Sequence, residues 1–290
     1  MSNAKCFSGE EKNKVEKSTL YLVATPIGNL ADLSERAVKV LSEVDFIAAE
    51  DTRNSMRLLS YLGISKPMVS YFEHNKKERG EQIAERLISG ESCALITDAG
   101  TPAISDPGED MVAICAEKGI KVSSIPGPCA AIVALTLSGL PTGRFSFEGF
   151  LSANKSERRK QLSKLAGEER TMIFHEAPHK LKATLADMQT AFGAERRIAL
   201  CRELTKLNEE AHRTIVGGAV AYYGENEPRG EYVLVVEGAP EASSAEDFSD
   251  MSIEQHVESY IAAGMSKKDA IKAVAKDRGV QKNEIYKEFI

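Results

Sequence analysis

Two histidines in His175-Glu-Ala-Pro-His179 have the spacing H-E-x-x-H, which in zinc peptidases places two metal ligands and a general base on one helix. That chemistry requires a continuous helix, so that both imidazoles lie on the same face. Residues 171–174 are typical of a strand, and Pro178 is excluded from a helix interior. We therefore predict a strand end, then a helix with Pro178 in its first turn, and no metal.

Three loops rich in glycine, proline and small residues indicate a different chemistry, ligand binding by main-chain groups. They are Thr25-Pro-Ile-Gly-Asn29, residues 97–108, and Ile125-Pro-Gly-Pro-Cys-Ala-Ala131, and each follows a β-prone run. Glycine permits close approach of a ligand to the backbone. The sequence has no G-x-G-x-x-G and no Walker P-loop, which disfavours a dinucleotide site. The loops predict a site for a bent, partly apolar cofactor.

The elements that would position these loops alternate between strand and helix. Apolar β-prone runs lie near residues 19–24, 45–49, 68–71, 92–97 and 121–125. Helical periodicity lies near residues 33–44, 55–62, 79–89, 108–118 and 128–138. Such alternation predicts a mainly parallel sheet covered by helices, in an α/β domain at residues 18–143.

A second α/β domain is predicted at residues 144–238, after the turn formers of Leu140-Pro-Thr-Gly143. Its strands, near residues 171–175, 197–202, 212–216 and 231–237, look more hairpin-like, and its helices lie near residues 178–192 and 217–223. Residues 1–17 have no apolar periodicity and are predicted to be a disordered leader. Residues 239–250 are an acidic linker by composition, and residues 251–290 a tail of three short helices.

The net charge of -6 comes from one segment, because residues 237–258 hold seven acids and no lysine or arginine. The rest of the chain has 36 acids against 37 bases, so its charge does not argue against an RNA partner. Five scattered cysteines without C-x-x-C are typical of reduced thiols. The most apolar run, residues 129–137, is far below the roughly 20 residues that span a bilayer. We expect a cytoplasmic protein without a membrane partner.

Seven segments in chain order resemble the tetrapyrrole methylase superfamily, and within it the enzymes that methylate small-subunit ribosomal RNA. They are residues 20–33, Ala49-Glu-Asp-Thr-Arg53, residues 98–108, Ile125-Pro-Gly-Pro128, Phe147-Glu-Gly-Phe150, Arg202-Glu-Leu-Thr-Lys206 and residues 230–237. The resemblance covers about residues 18 to 240. It implies two α/β domains with S-adenosylmethionine in the cleft between them, a homodimer, and methyl transfer to the 2'-hydroxyl of a cytidine in 16S rRNA, either free or in the small ribosomal subunit.

The resemblance also implies a set of cofactor-binding residues. Gly100-Thr-Pro-Ala-Ile104 occupies the place of the superfamily's G-D-P-x-I loop, with Thr101 where the family has Asp. Asp98 is expected to supply the missing polar contact. The other implied neighbours of the cofactor are Pro26, Gly28, Cys129, Ala130, Phe174 and Leu204.

Methyl transfer to a ribose hydroxyl requires alignment and a proton acceptor, and no metal. Candidate residues for these roles are Glu50, Asp51, Glu176, Glu203 and Lys206. A carboxylate could take the proton, and a lysine could stabilise the developing alkoxide. The alternative for each carboxylate is an ion pair at a strand end or a helix cap, so no single base is assigned.

Basic side chains suited to phosphate contacts form several groups along the chain. They are Arg53, Arg57, Arg79, the cluster of Lys155, Arg158, Arg159 and Lys160, and Lys267 with Lys268 in the tail. A solvated helix face is the alternative for the cluster. The tail has seven bases against four acids from Ser266 on and reads like a helix-turn-helix unit.

Two competing functions remain open. A methylase of a porphyrinoid ring would share the fold and the cofactor loops, but it would not need the basic clusters. An RNA-binding protein without catalysis would not need several glycine and proline loops that converge on a cleft.

Overall fold

The computed structural model describes residues 14–240, 251–262, 264–278 and 280–289. Its described residues form two compact units. The first extends to Ala166 and continues with Arg170–Glu237, and the second comprises Gly167–Glu169 and the residues from Gly238 on. Residues 1–13 of the predicted leader and residues 241–250 of the predicted linker lie outside the described residues.

The first sheet is parallel and is covered by helices on both faces. Its strands, in the order β3-β2-β4-β1-β5, are β1 (Thr19–Val23), β2 (Phe46–Ala49), β3 (Met68–Ser70), β4 (Cys93–Ile96) and β5 (Lys121–Ile125). Helices α1 (Glu35–Glu43) and α2 (Thr52–Tyr61) pack on one face, and α3 (Lys76–Ile88) and α4 (Gly108–Glu117) on the other. Because all five strands are parallel, the loops that follow them share one edge.

The second sheet is mixed and has the order β6-β7-β10-β8-β9. Its strands are β6 (Phe145–Phe150), β7 (Thr171–Glu176), β8 (Arg197–Arg202), β9 (Glu210–Ile215) and β10 (Tyr232–Val236). Only β6 and β7 pair in parallel, and the other three pairs are antiparallel. One face is covered by α6 (Lys155–Leu165), α7 (Pro178–Phe192) and α8 (Val216–Glu225).

Helix α5 (Ala130–Ser138) covers the other face of the second sheet, although it follows the last strand of the first. Its sequence AAIVALTLS is almost entirely apolar. Ala134 and Leu135 are buried in one cluster with Ile173 and Val235. The packing of α5 therefore holds the loop before it beside the second sheet.

The predicted arrangement of two α/β parts and a helical tail is confirmed. The tail contains α9 (Ile253–Ala262), α10 (Lys267–Asp277) and α11 (Lys282–Phe289). These helices bury Val257, Ile271, Val274 and Ile285 in a small core of their own. The domain boundary at residue 143 stays a prediction.

One strand of the second sheet, β6, and one helix on its face, α6, are not predicted from the sequence. Strand β6 contains a register shift between Phe147 and Gly149, which interrupts the alternation of apolar and polar residues. Helix α6 has only Arg158 and Leu162 buried, so it lacks an apolar stripe. Neither element therefore has a local sequence pattern that identifies it, and each is recognised only from its packing in the folded chain.

The predicted RNA-binding cluster requires a correction at Arg158. Its side chain is only 6% exposed, and its guanidinium donates to the Asp187 carboxylate from Nη2 at 2.7 Å and Nε at 2.9 Å. Arg159 contacts the other oxygen of Asp187 and is 54% exposed. The assignment of Arg158 to phosphate contacts is wrong, because its charge is buried and already paired.

We expect Asp187→Asn to lower the free energy of unfolding by about 3–5 kcal/mol, because it leaves the Arg158 guanidinium buried without a counter-charge. Arg159→Ala is the matched control. It removes the exposed partner of the same carboxylate and should cost less than about 1 kcal/mol. Urea unfolding of both variants measures the difference. Equal losses would show that the buried ion pair has no special role.

Candidate active site

Main-chain hydrogen bonds join the loops at the carboxyl edge of the first sheet. Thr25 and Gly100 exchange two of them, with N···O distances of 2.9 and 3.0 Å. The Thr101 hydroxyl donates to the Pro128 carbonyl at 2.9 Å. The loops that follow β1, β4 and β5, predicted separately from the sequence, therefore form one structure.

A single carboxylate holds the loop after β4 in an unusual backbone conformation. Ala103 and Ser105 have φ values of 67° and 62°, which L-residues rarely adopt. The Asp106 carboxylate accepts hydrogen bonds from the amides of Ala103, Ile104 and Gly108 at 3.0, 3.2 and 2.7 Å. Such local strain is concentrated at functional sites. Asp106 was not among the predicted site residues.

The loop after β1 contacts the second sheet so closely that Gly28 has no room for a side chain. A Cβ atom there would lie 2.4 Å from Cγ of Lys206 and 3.0 Å from the Leu204 carbonyl oxygen. Glu203 and Thr205 in the opposing loop also have positive φ values, of 50° and 64°. Strained backbone therefore occurs in one loop of each sheet, the loop after β4 and the loop after β8, and both loops flank the region between the sheets.

A cavity of about 420 Å³ lies where the two sheet edges meet. The first half of the chain lines it with Ile27, Ala99 and Ala130. The second half contributes the ends of β6, β7 and β8 and the start of β10. These residues are Phe150, His175, Glu176, Ala177, Pro178, Glu203, Leu204, Lys206, Glu231, Tyr232 and Val233. The size and mixed lining suit a small-molecule ligand.

Lys206 is held at the cavity by two carboxylates. Its ammonium lies 3.1 Å from Glu203 Oε1 and 3.2 Å from Glu231 Oε2. Burial alone would lower the pKa of Lys206 and raise that of Glu203. The hydrogen bond between them, hydrogen bonds with Glu231 and the attraction between the charges together outweigh burial, so the pKa of Lys206 is raised and that of Glu203 lowered. Both groups are therefore charged at neutral pH.

Glu176 places a buried carboxylate at the end of β7. Oε2 accepts from the Thr184 hydroxyl, and Oε1 accepts from the Ala177 amide at 2.9 Å. The ammonium of Lys180 lies 3.6 Å from Oε1. Pro178 occupies the first turn of α7, as predicted, so His175 and His179 do not share a helix.

Several of the predicted site residues lie together at the cavity. Ala130, Glu176, Glu203, Leu204 and Lys206 line it directly. The predicted residues Pro26, Gly28, Asp98, Gly100 and Cys129 are chain neighbours of the lining residues Ile27, Ala99 and Ala130. Thr101 and Ile104 belong to the loop that Asp106 holds.

Phe174, predicted to be a neighbour of the cofactor, has a ring that is fully buried in the core between the second sheet and helices α6 to α8, so its side chain is not open to a ligand. A main-chain contact between Phe174 and the cofactor stays a prediction. Alternation along β7 turns the next residue, His175, to the opposite face. Sequence reasoning missed His175 because it was considered only as part of the H-E-x-x-H motif.

Glu50 and Asp51 do not line the cavity, and both have structural partners. Glu50 Oε2 accepts from the Thr97 hydroxyl at 2.8 Å, which joins the loops after β2 and β4. Asp51 caps α2 by accepting from the Arg53 amide at 2.8 Å and forms an ion pair with the Arg53 guanidinium at 3.0 Å. The helix cap and ion pair of Asp51 match the alternative considered for it, whereas Glu50 instead forms a hydrogen bond between two loops.

The remaining predicted RNA-binding cations are exposed. Arg53 and Arg57 lie on α2, and Arg79 lies in the first turn of α3, two helices that start at the carboxyl edge of the first sheet. Arg159 lies on α6, and Lys267 and Lys268 begin α10 in the tail. Phosphate binding by these residues stays a prediction.

In residues 14–240, 251–262, 264–278 and 280–289, no three His, Cys, Asp or Glu side chains form a group that could hold a metal ion. Across the same described parts of the chain, no helix is both long and apolar enough to cross a membrane.

Comparison with known sequences gives long matches. The family profile of tetrapyrrole (corrin/porphyrin) methylases matches residues 19–219. A ribosomal RNA small subunit methyltransferase I from Synechocystis sp. is 47% identical over 268 residues, which cover 92% of this chain and 95% of that protein. One of the same name from Halalkalibacterium halodurans is 49% identical over 273 residues, 93% of this chain and 94% of that protein.

Solved structures with a similar fold are more distant in sequence. Uroporphyrin-III-C-methyltransferase from Thermus thermophilus is 20% identical with a TM-score of 0.54, over 76% of this chain and 94% of that chain. Diphthine synthase is 14% identical with a TM-score of 0.58, over 76% of this chain and 90% of that chain. At these identities the likeness shows the fold alone.

We expect Gly28→Ala to lower the free energy of unfolding by about 1–3 kcal/mol, because the added methyl group overlaps the loop that contains Lys206. Gly143→Ala is the matched control, since no atom lies within 4 Å of its added Cβ. Thermal melting of both variants measures the effect. A Gly28→Ala protein as stable as the control would show that the two loops are not packed together.

Proposed function

The chain belongs to the tetrapyrrole methylase family, and from this premise we propose that it transfers a methyl group from S-adenosylmethionine to the 2'-hydroxyl of a cytidine in 16S rRNA. The expected family is confirmed, and the relatives that are 47% and 49% identical are named for ribosomal RNA of the small subunit. One structural observation carries the proposal. The loops implied for the cofactor converge on one cavity, lined by charged groups able to assist proton transfer.

The cavity fits the proposed cofactor in chemistry. Ile27, Ala99, Ala130 and Leu204 offer apolar contacts, and the Thr25–Gly100 bridge brings main-chain groups to the same edge. The carboxylates of Glu203 and Glu231 suit a ligand that carries positive charge. When bound, S-adenosylmethionine supplies a methyl group activated by its positively charged sulfur.

The chain's own residues have the task of excluding water, aligning the ribose and accepting its proton. Of the five candidates, Glu176, Glu203 and Lys206 line the cavity, whereas Glu50 and Asp51 serve the loops around it. We infer that the proton acceptor is Glu176 or Glu203, the two candidate carboxylates that line the cavity. Lys206, fixed by Glu203 and Glu231, places a cation where a developing alkoxide would be stabilised.

The substrate is proposed to be 16S rRNA, free or in the small ribosomal subunit, which places the protein in the cytoplasm. Exposed Arg53, Arg57 and Arg79 lie on helices that start at the carboxyl edge of the first sheet, whose loops line the cavity, which suits phosphate contacts that position an RNA. A homodimer is proposed from the family resemblance.

Replacing cytidine by 2'-deoxycytidine in 16S rRNA, free or reconstituted into small subunits, should abolish methyl acceptance, because the attacking oxygen is absent. The same RNA made with 2'-deoxyuridine in place of uridine is the matched control and should still accept methyl. Transfer of a labelled methyl group measures both. Label on the 2'-deoxycytidine RNA would mean that the reaction occurs on a base and that the proposed chemistry is wrong.

The tail is proposed to bind RNA independently of the cavity. Its helices have their own core, and Lys267 and Lys268 are exposed at the start of α10. A tethered basic module raises the local concentration of RNA without contacting the reacting atoms. The alternative is a tail that only stabilises the rest of the protein.

Deleting residues 251–290 should leave the affinity for S-adenosylmethionine unchanged and weaken RNA binding. Each lost phosphate contact should lower the slope of log K against log salt by about 0.7 to 0.9. Lys267→Gln with Lys268→Gln, in the full chain, should reproduce part of the change without altering the melting temperature. A salt slope that the deletion does not change would contradict the tail's role in RNA binding.

A further inference from the structure

The two histidines of the H-E-x-x-H segment have different surroundings. His179 is exposed in the first turn of α7. His175 lies on β7 and is one of the residues that line the cavity. Apart from the excluded role as a zinc ligand, no role considered so far uses His175.

Two aromatic rings hold the imidazole of His175 in a fixed position. The Phe147 ring centroid lies 5.2 Å from it and the Phe150 centroid 5.3 Å, with interplanar angles of 72° and 76°. Both phenylalanines come from β6, the neighbouring strand. These edge-to-face contacts restrict the ring without offering its nitrogens a conventional hydrogen bond.

Nε2 of His175 is buried and has no hydrogen-bond partner among the described residues. Buried polar side-chain atoms in folded proteins nearly always have a partner, and an exception requires an explanation. Because this atom belongs to a residue that lines the cavity, a ligand in the cavity is the partner that the fold itself does not supply.

The environment of His175 also restricts the kind of partner. Burial lowers the pKa of the His175 imidazole, against a smaller opposing effect of the Glu231 carboxylate, so the ring is neutral at pH 7. A neutral imidazole nitrogen either donates or accepts, depending on the tautomer. A hydroxyl group satisfies both cases, because it also can donate or accept.

We propose that Nε2 of His175 binds a ribose hydroxyl of the ligand that occupies the cavity, an inference that rests on the proposed function. Ribose hydroxyls occur both in the adenosine part of the methyl donor and in the acceptor nucleotide. In either case His175 is a ligand-binding residue that orients a sugar beside the charged group of Glu203, Lys206 and Glu231.

The experiment uses His175→Phe, which removes the nitrogens and keeps an aromatic ring between Phe147 and Phe150. His179→Phe is the matched control, because it alters the exposed histidine of the same segment. Calorimetry with S-adenosylhomocysteine and its 2'- and 3'-deoxy analogues tests the donor sugar. Binding of 16S rRNA transcripts made with cytidine or 2'-deoxycytidine, to protein saturated with S-adenosylhomocysteine, tests the acceptor sugar.

If the bound hydroxyl belongs to the methyl donor, His175→Phe should weaken S-adenosylhomocysteine binding by about 2- to 10-fold, the range for one neutral hydrogen bond. The variant should then no longer distinguish S-adenosylhomocysteine from one deoxy analogue. In ¹⁵N-histidine spectra of the wild-type protein, the Nε2 resonance of His175 should shift on binding. If the hydroxyl belongs to the nucleotide that accepts the methyl group, His175→Phe should weaken binding of cytidine RNA by the same factor and leave binding of 2'-deoxycytidine RNA unchanged. The control variant should change neither affinity.

Unchanged affinities in both arms, in a protein that still binds S-adenosylhomocysteine and methylates rRNA, would overturn this inference alone. A wild-type protein that binds no S-adenosylhomocysteine would overturn the proposed function and this inference with it.

Discussion

The packing of helix α5 on the second sheet is the interaction on which the cavity depends. The helix is nearly all apolar, so its burial against Ile173 and Val235 is strongly favoured. It begins at Ala130, directly after the loop that accepts a hydrogen bond from Thr101. Burial of α5 therefore fixes the carboxyl edge of the first sheet against the edge of the second.

The loops around the cavity are held in conformations that they would not adopt alone. Ala103, Ser105, Glu203 and Thr205 all have positive φ values and lie in the two loops that flank the cavity. Asp106 stabilises one loop through backbone amides, and the ion pairs of Lys206 stabilise the other. The α5 core supplies the rigid support that such strain requires.

Features encoded over short sequence distances were predictable. The apolar runs and following helices predict the parallel first sheet, and Pro178 predicts where α7 begins. Features that depend on distant partners were not predictable. Arg158 looks like a surface cation until its pairing with Asp187, 29 residues away, is seen. The register shift beside Gly149 concealed strand β6.

The same distinction applies within the site. Motif resemblance identified the loops, because glycine and proline leave a local signature. It could not identify which face of β7 meets the cavity, so it did not single out His175. It also could not separate Glu176 and Glu203 from Glu50 and Asp51, since only the folded chain shows which of these carboxylates line the cavity.

The most direct measurement is a mass-spectrometric map of methylated nucleosides in 16S rRNA from cells that lack this protein. We predict the loss of a 2'-O-methylcytidine, restored when the intact chain is returned and not restored by a chain that cannot bind S-adenosylmethionine. An unchanged set of ribose-methylated cytidines in the cells that lack the protein would contradict it.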